Sequence, residues 1–197
     1  MGFITDNFLL QTETARRLYQ KYALGQPILD YHTHLSPKDL AENRRFENLF
    51  EIWLEGDHYK WRAMRANGVS EKYCTGDASP YDKFLAWAAT VPHTLRNPLY
   101  QWAHLELVRY FGIEELLDST TAPSIWKRAN QRLMDDDLTA LGIVTRFGVK
   151  ALCTSDDPVD SLEYHRRIQS SSAPVGVFPT FRPDRAFHTG NPAAFNK

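Results

Sequence analysis

The chain has 197 residues, of which 43% are hydrophobic and 24% charged, so it is long enough for one packed domain. The formal net charge of -1 argues against the clustered basic surface that binds nucleic acids. We expect no signal peptide and no membrane span, because no apolar stretch approaches about 18 residues. The two distant cysteines, Cys74 and Cys153, form no disulfide framework and are typical of a reducing cytoplasm.

The first predicted elements are a helix and a short strand. Residues 12–23 carry apolar side chains at helical spacing, and residues 27–31 are β-rich and bounded by turn residues. His32 and His34 close this strand, and alternate residues of a strand share a face. Two neighbouring imidazoles suit a divalent metal such as zinc, or proton transfer on a bound polar substrate. The alternative is a pair of unrelated polar residues in a loop.

Residues 36–147 are predicted to be helices and loops without a strand. Three helix starts repeat one pattern, in which a capping side chain precedes a proline, at Ser36, Ser79 and Asn97. Apolar residues at helical spacing follow each start. His104 lies among apolar residues and is predicted to be a buried, hydrogen-bonding histidine, whereas His165 belongs to no motif.

Strands return in the last fifty residues. We predict a buried strand over residues 149–155, a helix over 159–169 capped by Asp157, and a third strand over 175–181. Strands that alternate with helical crossovers indicate a parallel α/β sheet. The predicted regions are an N-terminal helix with the first strand (1–35), a helical insertion (36–147), and the remaining strands with their crossover helix (148–197).

Polar motifs follow the end of each predicted strand: His32 and His34, then Asp156 and Asp157, then Arg182. Enzymes built on (β/α) barrels place their sites at this end of their strands. We therefore predict a partial TIM-like (β/α) barrel of about three parallel strands with a large helical insertion after the first. Because a closed barrel has eight strands, we expect the chain to be the front of a longer protein. A further helix is expected to begin in residues 191–197.

Several motifs resemble a known family. Residues 27–35, PILDYHTHL, resemble the first barrel strand of the amidohydrolase superfamily, and residues 52–65, IWLEGDHYKWRAMR, are similar to the uronate isomerase family. Other segments are similar to that family in the same order: 74–77, 90–94, 97–100, 104–107 and 154–158. The resemblance covers essentially the whole chain but only the N-terminal part of the family.

The resemblance implies isomerisation of D-glucuronate to D-fructuronate and of D-galacturonate to D-tagaturonate. In this aldose–ketose reaction a proton moves from C2 to C1 through an enediol. His32 and His34 are then catalytic residues that bind a divalent metal such as zinc, or that contact the sugar hydroxyls and carbonyl oxygen. The family's need for metal is weaker than that of its hydrolase relatives, so we expect weak metal binding.

Arg182 is the candidate for holding the substrate carboxylate, because a guanidinium binds a carboxylate through two charge-assisted hydrogen bonds. Its alternative roles are a surface charge or a partner of Asp184. His58 and Tyr59 follow a predicted helix cap, Asp57. We expect Tyr59 to donate to a developing oxyanion as a catalytic residue.

His58 is expected to bind substrate beside Tyr59. The alternatives are an imidazole on the helix surface for His58 and packing beside Trp61 for Tyr59. The resemblance also implies a further His and an Asp from later strands, beyond residue 197, and the Asp is the usual candidate for the base. We therefore expect negligible turnover from this chain alone.

The expected partner is a small hexuronate, with no nucleic acid and no membrane, and the complete protein is expected to be a cytoplasmic homo-oligomer. One alternative function is that of a metal-dependent hydrolase of the amidohydrolase superfamily, in which a metal-bound hydroxide attacks. The other is a truncated fragment without catalytic activity.

Overall fold

The computed structural model describes residues 2–187, 189 and 190 and has two compact units. We call Met1–Tyr19 with Arg45–Leu138 the helical unit, and Gln20–Arg44 with Thr139–Lys197 the sheet unit. The helix start expected in residues 191–197 lies outside the described residues. In chain order the elements are α1 (Glu13–Leu18), β1 (Ile28–Thr33), α2 (Pro37–Ala41), α3 (Leu49–Trp53), α4 (His58–Ala66), α5 (Glu71–Cys74), α6 (Pro80–Thr90), α7 (Pro98–Phe111), α8 (Ala122–Arg132), α9 (Ala140–Arg146), β2 (Val149–Asp156), α10 (Glu163–Gln169) and β3 (Gly176–Phe181).

The sheet unit contains the three predicted strands, all parallel and in the order β1-β2-β3. Thr33 of β1 lies opposite Thr154 of β2, and Asp156 of β2 lies opposite Phe181 of β3. The carboxyl ends of the strands therefore meet at one edge of the sheet. Helices α2 and α9, which fall inside the predicted insertion, belong to this unit, where α2 contacts α10 and α9 contacts β2.

A small apolar core holds the helices of the sheet unit against the strands. Its buried members come from β2, from three helices and from the residue just before β3: Leu40, Val144, Leu152, Ile168 and Val175. Along β2 the buried residues alternate, because successive side chains of a strand point to opposite faces. Leu152, Thr154 and Asp156 consequently share the buried face, so the core continues into a polar cluster at the end of the strand.

The helical unit is organised around α6, which contacts α3, α4, α5 and α8. Its fully buried side chains include Phe84 and Trp87 of α6 and Leu107 of α7. The predicted helix starts are confirmed in both units, since Ser36, Ser79 and Asn97 each accept a main-chain N–H in the first turn, at 3.0–3.3 Å. Across the described residues, no helix combines the length and the apolar character needed to span a bilayer.

Two helix predictions need correction. The helix expected over residues 159–169 begins only at Glu163, after Leu162 with φ 54°. Asp157 does not cap it, because its side chain accepts the N–H of Val159 at 3.1 Å in a local turn that competes with helix formation. The first helix is α-helical only over Glu13–Leu18 and continues as π-helix over Tyr19–Ala23.

Candidate functional site

His32 and His34 bring their imidazoles together at the carboxyl end of β1. Their Nε2 atoms are 3.2 Å apart, and the rings meet edge to face at 83° with centroids separated by 5.1 Å. Both side chains are exposed. The hydroxyl of Ser155 donates to the carbonyl of Thr33 at 3.0 Å and joins this strand end to β2. The predicted shared face of the two histidines is therefore present.

The spacing of the two nitrogen atoms fits a shared metal ion. Zn–N bonds of about 2.0–2.1 Å at a tetrahedral angle place two nitrogen atoms about 3.3–3.4 Å apart. A catalytic zinc ion usually has three protein ligands, and no group of three His, Cys, Asp or Glu suited to a metal occurs among the described residues. His32 and His34 can thus supply two ligands of such a site.

Arg182 follows the end of β3 at the same edge of the sheet. Its main-chain N–H donates to the carbonyl of Asp156 at 2.9 Å, and its Nε donates to Asp184 at 2.8 Å. Arg182 therefore does pair with Asp184, as the alternative role predicts, but this contact uses only the Nε edge of the guanidinium. The order of the strands separates β1 from β3 by two strand spacings, about 10 Å.

A buried cluster at the end of β2 was not predicted from the sequence. Thr154 Oγ1 lies 2.7 Å from Asp156 Oδ2 and 2.8 Å from His165 Nε2, and all three side chains are buried. His165 lies on α10, eleven residues from Thr154, so no local motif marks it. The alternation of buried residues along β2 is the signal that could have placed Asp156 under the sheet rather than in solvent.

In the helical unit, Tyr59 and His58 occupy the first turn of α4. Asp57 is the predicted cap, and its Oδ1 accepts the N–H of Tyr59 at 2.9 Å and that of Lys60 at 3.1 Å. The Tyr59 ring contacts the His58 ring, with centroids 4.3 Å apart, and the Arg62 guanidinium, whose carbon is 4.7 Å from the ring centroid. Both His58 and Tyr59 are exposed. The structure therefore brings these two predicted site residues together as neighbours on one turn.

A buried charge cluster anchors this turn, and sequence reasoning identified only its cap. Lys60 is 8% exposed, and its ammonium group donates to Asp57 Oδ2 at 2.7 Å. Burial raises the pKa of Asp57, but Lys60 and the main-chain N–H donors outweigh it and hold the pKa below its usual value. Burial raises the pKa of Glu106, against the attraction of Lys60 and a hydrogen bond from Trp53.

His104 is the buried, hydrogen-bonding histidine that the sequence predicts. It is 2% exposed, its Nδ1 lies 2.7 Å from the carbonyl of Tyr100, and its Nε2 accepts the N–H of Leu117 at 2.9 Å. Burial lowers the pKa of this imidazole, opposed by the hydrogen bond to Tyr100. Its two bonds tie α7 to the chain that follows, so its role is structural.

The fold and the strand-end residues define an α/β protein that gathers imidazole and guanidinium groups at the carboxyl edge of a parallel sheet. A family model of glucuronate isomerases matches residues 1–196. The chain belongs to the glucuronate isomerase family.

Relatives and solved structures agree with this assignment. A uronate isomerase of Solibacter usitatus is 61% identical over 196 residues, covering 100% of this chain and 42% of the relative. A uronate isomerase of Pectobacterium atrosepticum is 58% identical over 188 residues, covering 94% of this chain and 40% of the relative. The crystal structure of uronate isomerase from Thermotoga maritima matches with a TM-score of 0.92 at 37% identity, covering 98% of this chain and 42% of that one. The chain thus spans about two fifths of the length of the relatives that it matches.

Proposed function

We propose that this chain supplies part of the site of a hexuronate isomerase, which converts D-glucuronate to D-fructuronate and D-galacturonate to D-tagaturonate. The observation that carries the proposal is the pairing of His32 and His34 at the edge of the sheet that also presents Arg182, in a chain of this family. This arrangement offers a cationic holder and two imidazoles to opposite ends of an anionic sugar.

Arg182 binds the substrate carboxylate in this proposal. Asp184 accepts from Nε of the guanidinium, so the two terminal nitrogens, Nη1 and Nη2, remain for the carboxylate of the ligand. A bidentate contact of this kind fixes both the position and the orientation of the acid. The reacting carbons C1 and C2 then lie at the far end of the sugar.

His32 and His34 act at the carbonyl end of the sugar. They hold the oxygens on C1 and C2, either directly or as two ligands of a divalent metal such as zinc, whose chemistry is to polarise a bound oxygen. Tyr59, with His58 as a neighbouring substrate-binding group, donates a hydrogen bond to the oxyanion that develops as the enediol forms. The base that removes the C2 proton and returns it to C1 is assigned to a residue outside this chain.

We also propose that the sheet continues into a (β/α) barrel in the complete protein. Tyr31 of β1 is 84% exposed and Phe181 of β3 is 76% exposed, so apolar side chains of both outer strands face solvent in this chain. Large apolar side chains on open sheet edges are covered in stable folds by further strands or helices. A cytoplasmic, homo-oligomeric enzyme is the corresponding expectation for the whole protein, and the free thiols of Cys74 and Cys153 are compatible with a reducing compartment.

The proposal can be tested in a hybrid enzyme, in which residues 1–196 of this chain replace the matching part of the Solibacter usitatus relative. We expect the hybrid to isomerise D-glucuronate, measured by NMR detection of D-fructuronate, with the unmodified relative as control. The 197-residue chain alone is expected to show negligible turnover. A folded hybrid that hydrolyses sugar lactones but does not isomerise hexuronates would contradict the proposal and favour the hydrolase alternative.

A further inference from the structure

The buried cluster of Thr154, Asp156 and His165 takes no part in the chemistry described above. Asp156 is 7% exposed and His165 is 8% exposed, although both are polar. Burying a carboxylate is costly unless its oxygens accept hydrogen bonds. The partners of these side chains therefore indicate what the cluster holds in place.

Thr154 connects the carboxylate and the imidazole of the cluster. The hydroxyl of Thr154 donates to Asp156 Oδ2 at 2.7 Å, the shorter of its two acceptor contacts; the other, to the carbonyl of Phe178, is 3.3 Å. His165 Nε2 lies 2.8 Å from Thr154 Oγ1, where it can donate to the hydroxyl oxygen, and 3.6 Å from Asp156 Oδ1. Nδ1 of His165 has no hydrogen-bond partner among the described residues. The imidazole thus orients the threonine, and the threonine orients the carboxylate.

The oriented carboxylate is connected to the end of β3. Asp156 Oδ2 accepts the N–H of Thr180 at 3.4 Å, while the hydroxyl of Thr180 donates to the carbonyl of Thr154 at 2.6 Å. The carbonyl of Asp156 accepts the N–H of Arg182 at 2.9 Å. Side-chain and main-chain atoms of the cluster therefore hold the last residues of β3, up to the residue that carries the guanidinium.

We propose that Asp156, oriented by Thr154 and His165, is a positioning residue that places Arg182 for binding of the substrate carboxylate. This inference rests on the function proposed above. Recognition through a bidentate guanidinium tolerates displacements of only about 0.5 Å, so its backbone anchor must be rigid. The cluster lies on the face of the sheet that carries the apolar core, so it acts on Arg182 through the strand rather than by touching the substrate.

A double-mutant cycle in the hybrid enzyme tests the proposal. Asp156→Asn keeps the size of the side chain but removes its charge, and Thr154→Val removes the hydroxyl that orients it. Each is expected to lower kcat/KM for D-glucuronate about tenfold, mainly through KM, as misplacement of a positioning group does. Thr154→Ser, which keeps the hydroxyl, is expected to retain most of the activity. Asp160→Asn, at an exposed carboxylate of the same segment, is the matched control and is expected to stay within twofold of the unmodified hybrid.

The decisive comparison repeats Asp156→Asn in an Arg182→Met background. If Asp156 acts only through Arg182, the tenfold effect shrinks to less than about twofold there, because the two changes remove one function. An equal loss in both backgrounds would show a general structural role and overturn the proposal. An unchanged KM in both Asp156→Asn and Thr154→Val would overturn it as well.

A measurement on the 197-residue chain separates this inference from the proposed function. We expect Asp156→Asn to accelerate hydrogen exchange at the amide of Arg182 at least about tenfold, while the amide of Leu107 in the helical unit stays unchanged. If the unmodified hybrid fails to isomerise hexuronates, the proposed function is wrong, and this exchange still reports whether Asp156 holds the strand end. Unchanged exchange at Arg182 would refute the anchoring itself.

Discussion

Replacing Asp57 tests how the turn that carries His58 and Tyr59 is stabilised. Its Oδ1 atom caps two main-chain N–H groups of α4, and its Oδ2 atom accepts from the ammonium group of Lys60 at 2.7 Å. Asp57→Ala removes both functions. Asp57→Asn keeps a capping oxygen and removes only the charge, so the pair of variants separates capping from ion pairing.

The expected magnitudes follow from the two contacts. Loss of a helix cap costs about 1 kcal/mol. A hydrogen bond between charged groups contributes about 1.5–3 kcal/mol. We therefore expect Asp57→Asn to lower the free energy of unfolding by about 2 kcal/mol and Asp57→Ala by about 3 kcal/mol.

Urea unfolding followed by tryptophan fluorescence measures these changes. The five tryptophans all lie in the helical unit, so the signal reports on the unit that contains Asp57. The matched control is Asn97→Ala, which removes the cap of α7 without breaking an ion pair and is expected to cost about 1 kcal/mol. An Asp57→Ala variant no less stable than Asn97→Ala would refute the contribution assigned to the Lys60 pair.

The same variants predict a pH dependence. The folded state lowers the pKa of Asp57 below 3.8, so its stabilisation is complete above that pH and is lost as the pH falls through the folded pKa. The difference in unfolding free energy between the wild type and Asp57→Asn should be constant from neutral pH to about pH 4 and shrink below it. A difference that already disappears near pH 6 would contradict this assignment.

Three further outcomes follow from buried groups. Leu152→Ala, in the core of the sheet unit, is expected to lower the unfolding free energy by about 2–5 kcal/mol, measured by circular dichroism, and a cost below 1 kcal/mol would contradict its packing. The pKa of Glu106 is raised in the fold, so its ionisation destabilises the folded state as the pH rises above 4.5. Glu106→Gln should therefore gain stability relative to the wild type as the pH rises. The pKa of His104 is lowered in the fold, so the stability of the wild type should fall as the pH drops below 6.5, and His104→Leu should reduce that dependence. At neutral pH this variant is expected to cost about 1–3 kcal/mol, because the N–H of Leu117 loses its acceptor.

Much of the fold follows from local patterns in the sequence. The three strands, their parallel order and the capped helix starts are encoded by apolar runs and by side chains such as Ser79 and Asn97 that bind the adjacent backbone. The late start of α10 was missed because Asp157 and Asp160 bond within their own turn, which a capping pattern cannot distinguish from a helix start. The placement of α2 against α10 and of α9 against β2 depends on tertiary packing, which the local spacing of residues does not encode.

The candidate site was predictable only where its residues are close in sequence. His32 and His34 share a face because strand geometry places alternate residues together, and Asp57 orders the turn of Tyr59 by a local cap. Lys60 was missed because a buried lysine is recognisable only from the carboxylates around it. His165 was missed because its partner lies eleven residues away on another element, where only the folded chain reveals the contact.

The central claim is that Arg182 holds the carboxylate of a hexuronate. The most direct test is KM for D-glucuronate in the hybrid enzyme with Arg182→Met, compared with Arg185→Met, a nearby exposed arginine with pairs to Asp157 and Asp160. Arg182 is exposed in this chain, and its pair with the substrate carboxylate would become buried on binding. Removing one partner of such a buried charge pair costs about 2–5 kcal/mol, so Arg182→Met should raise KM at least about 30-fold while Arg185→Met leaves it within about twofold. An unchanged KM in Arg182→Met would contradict the account.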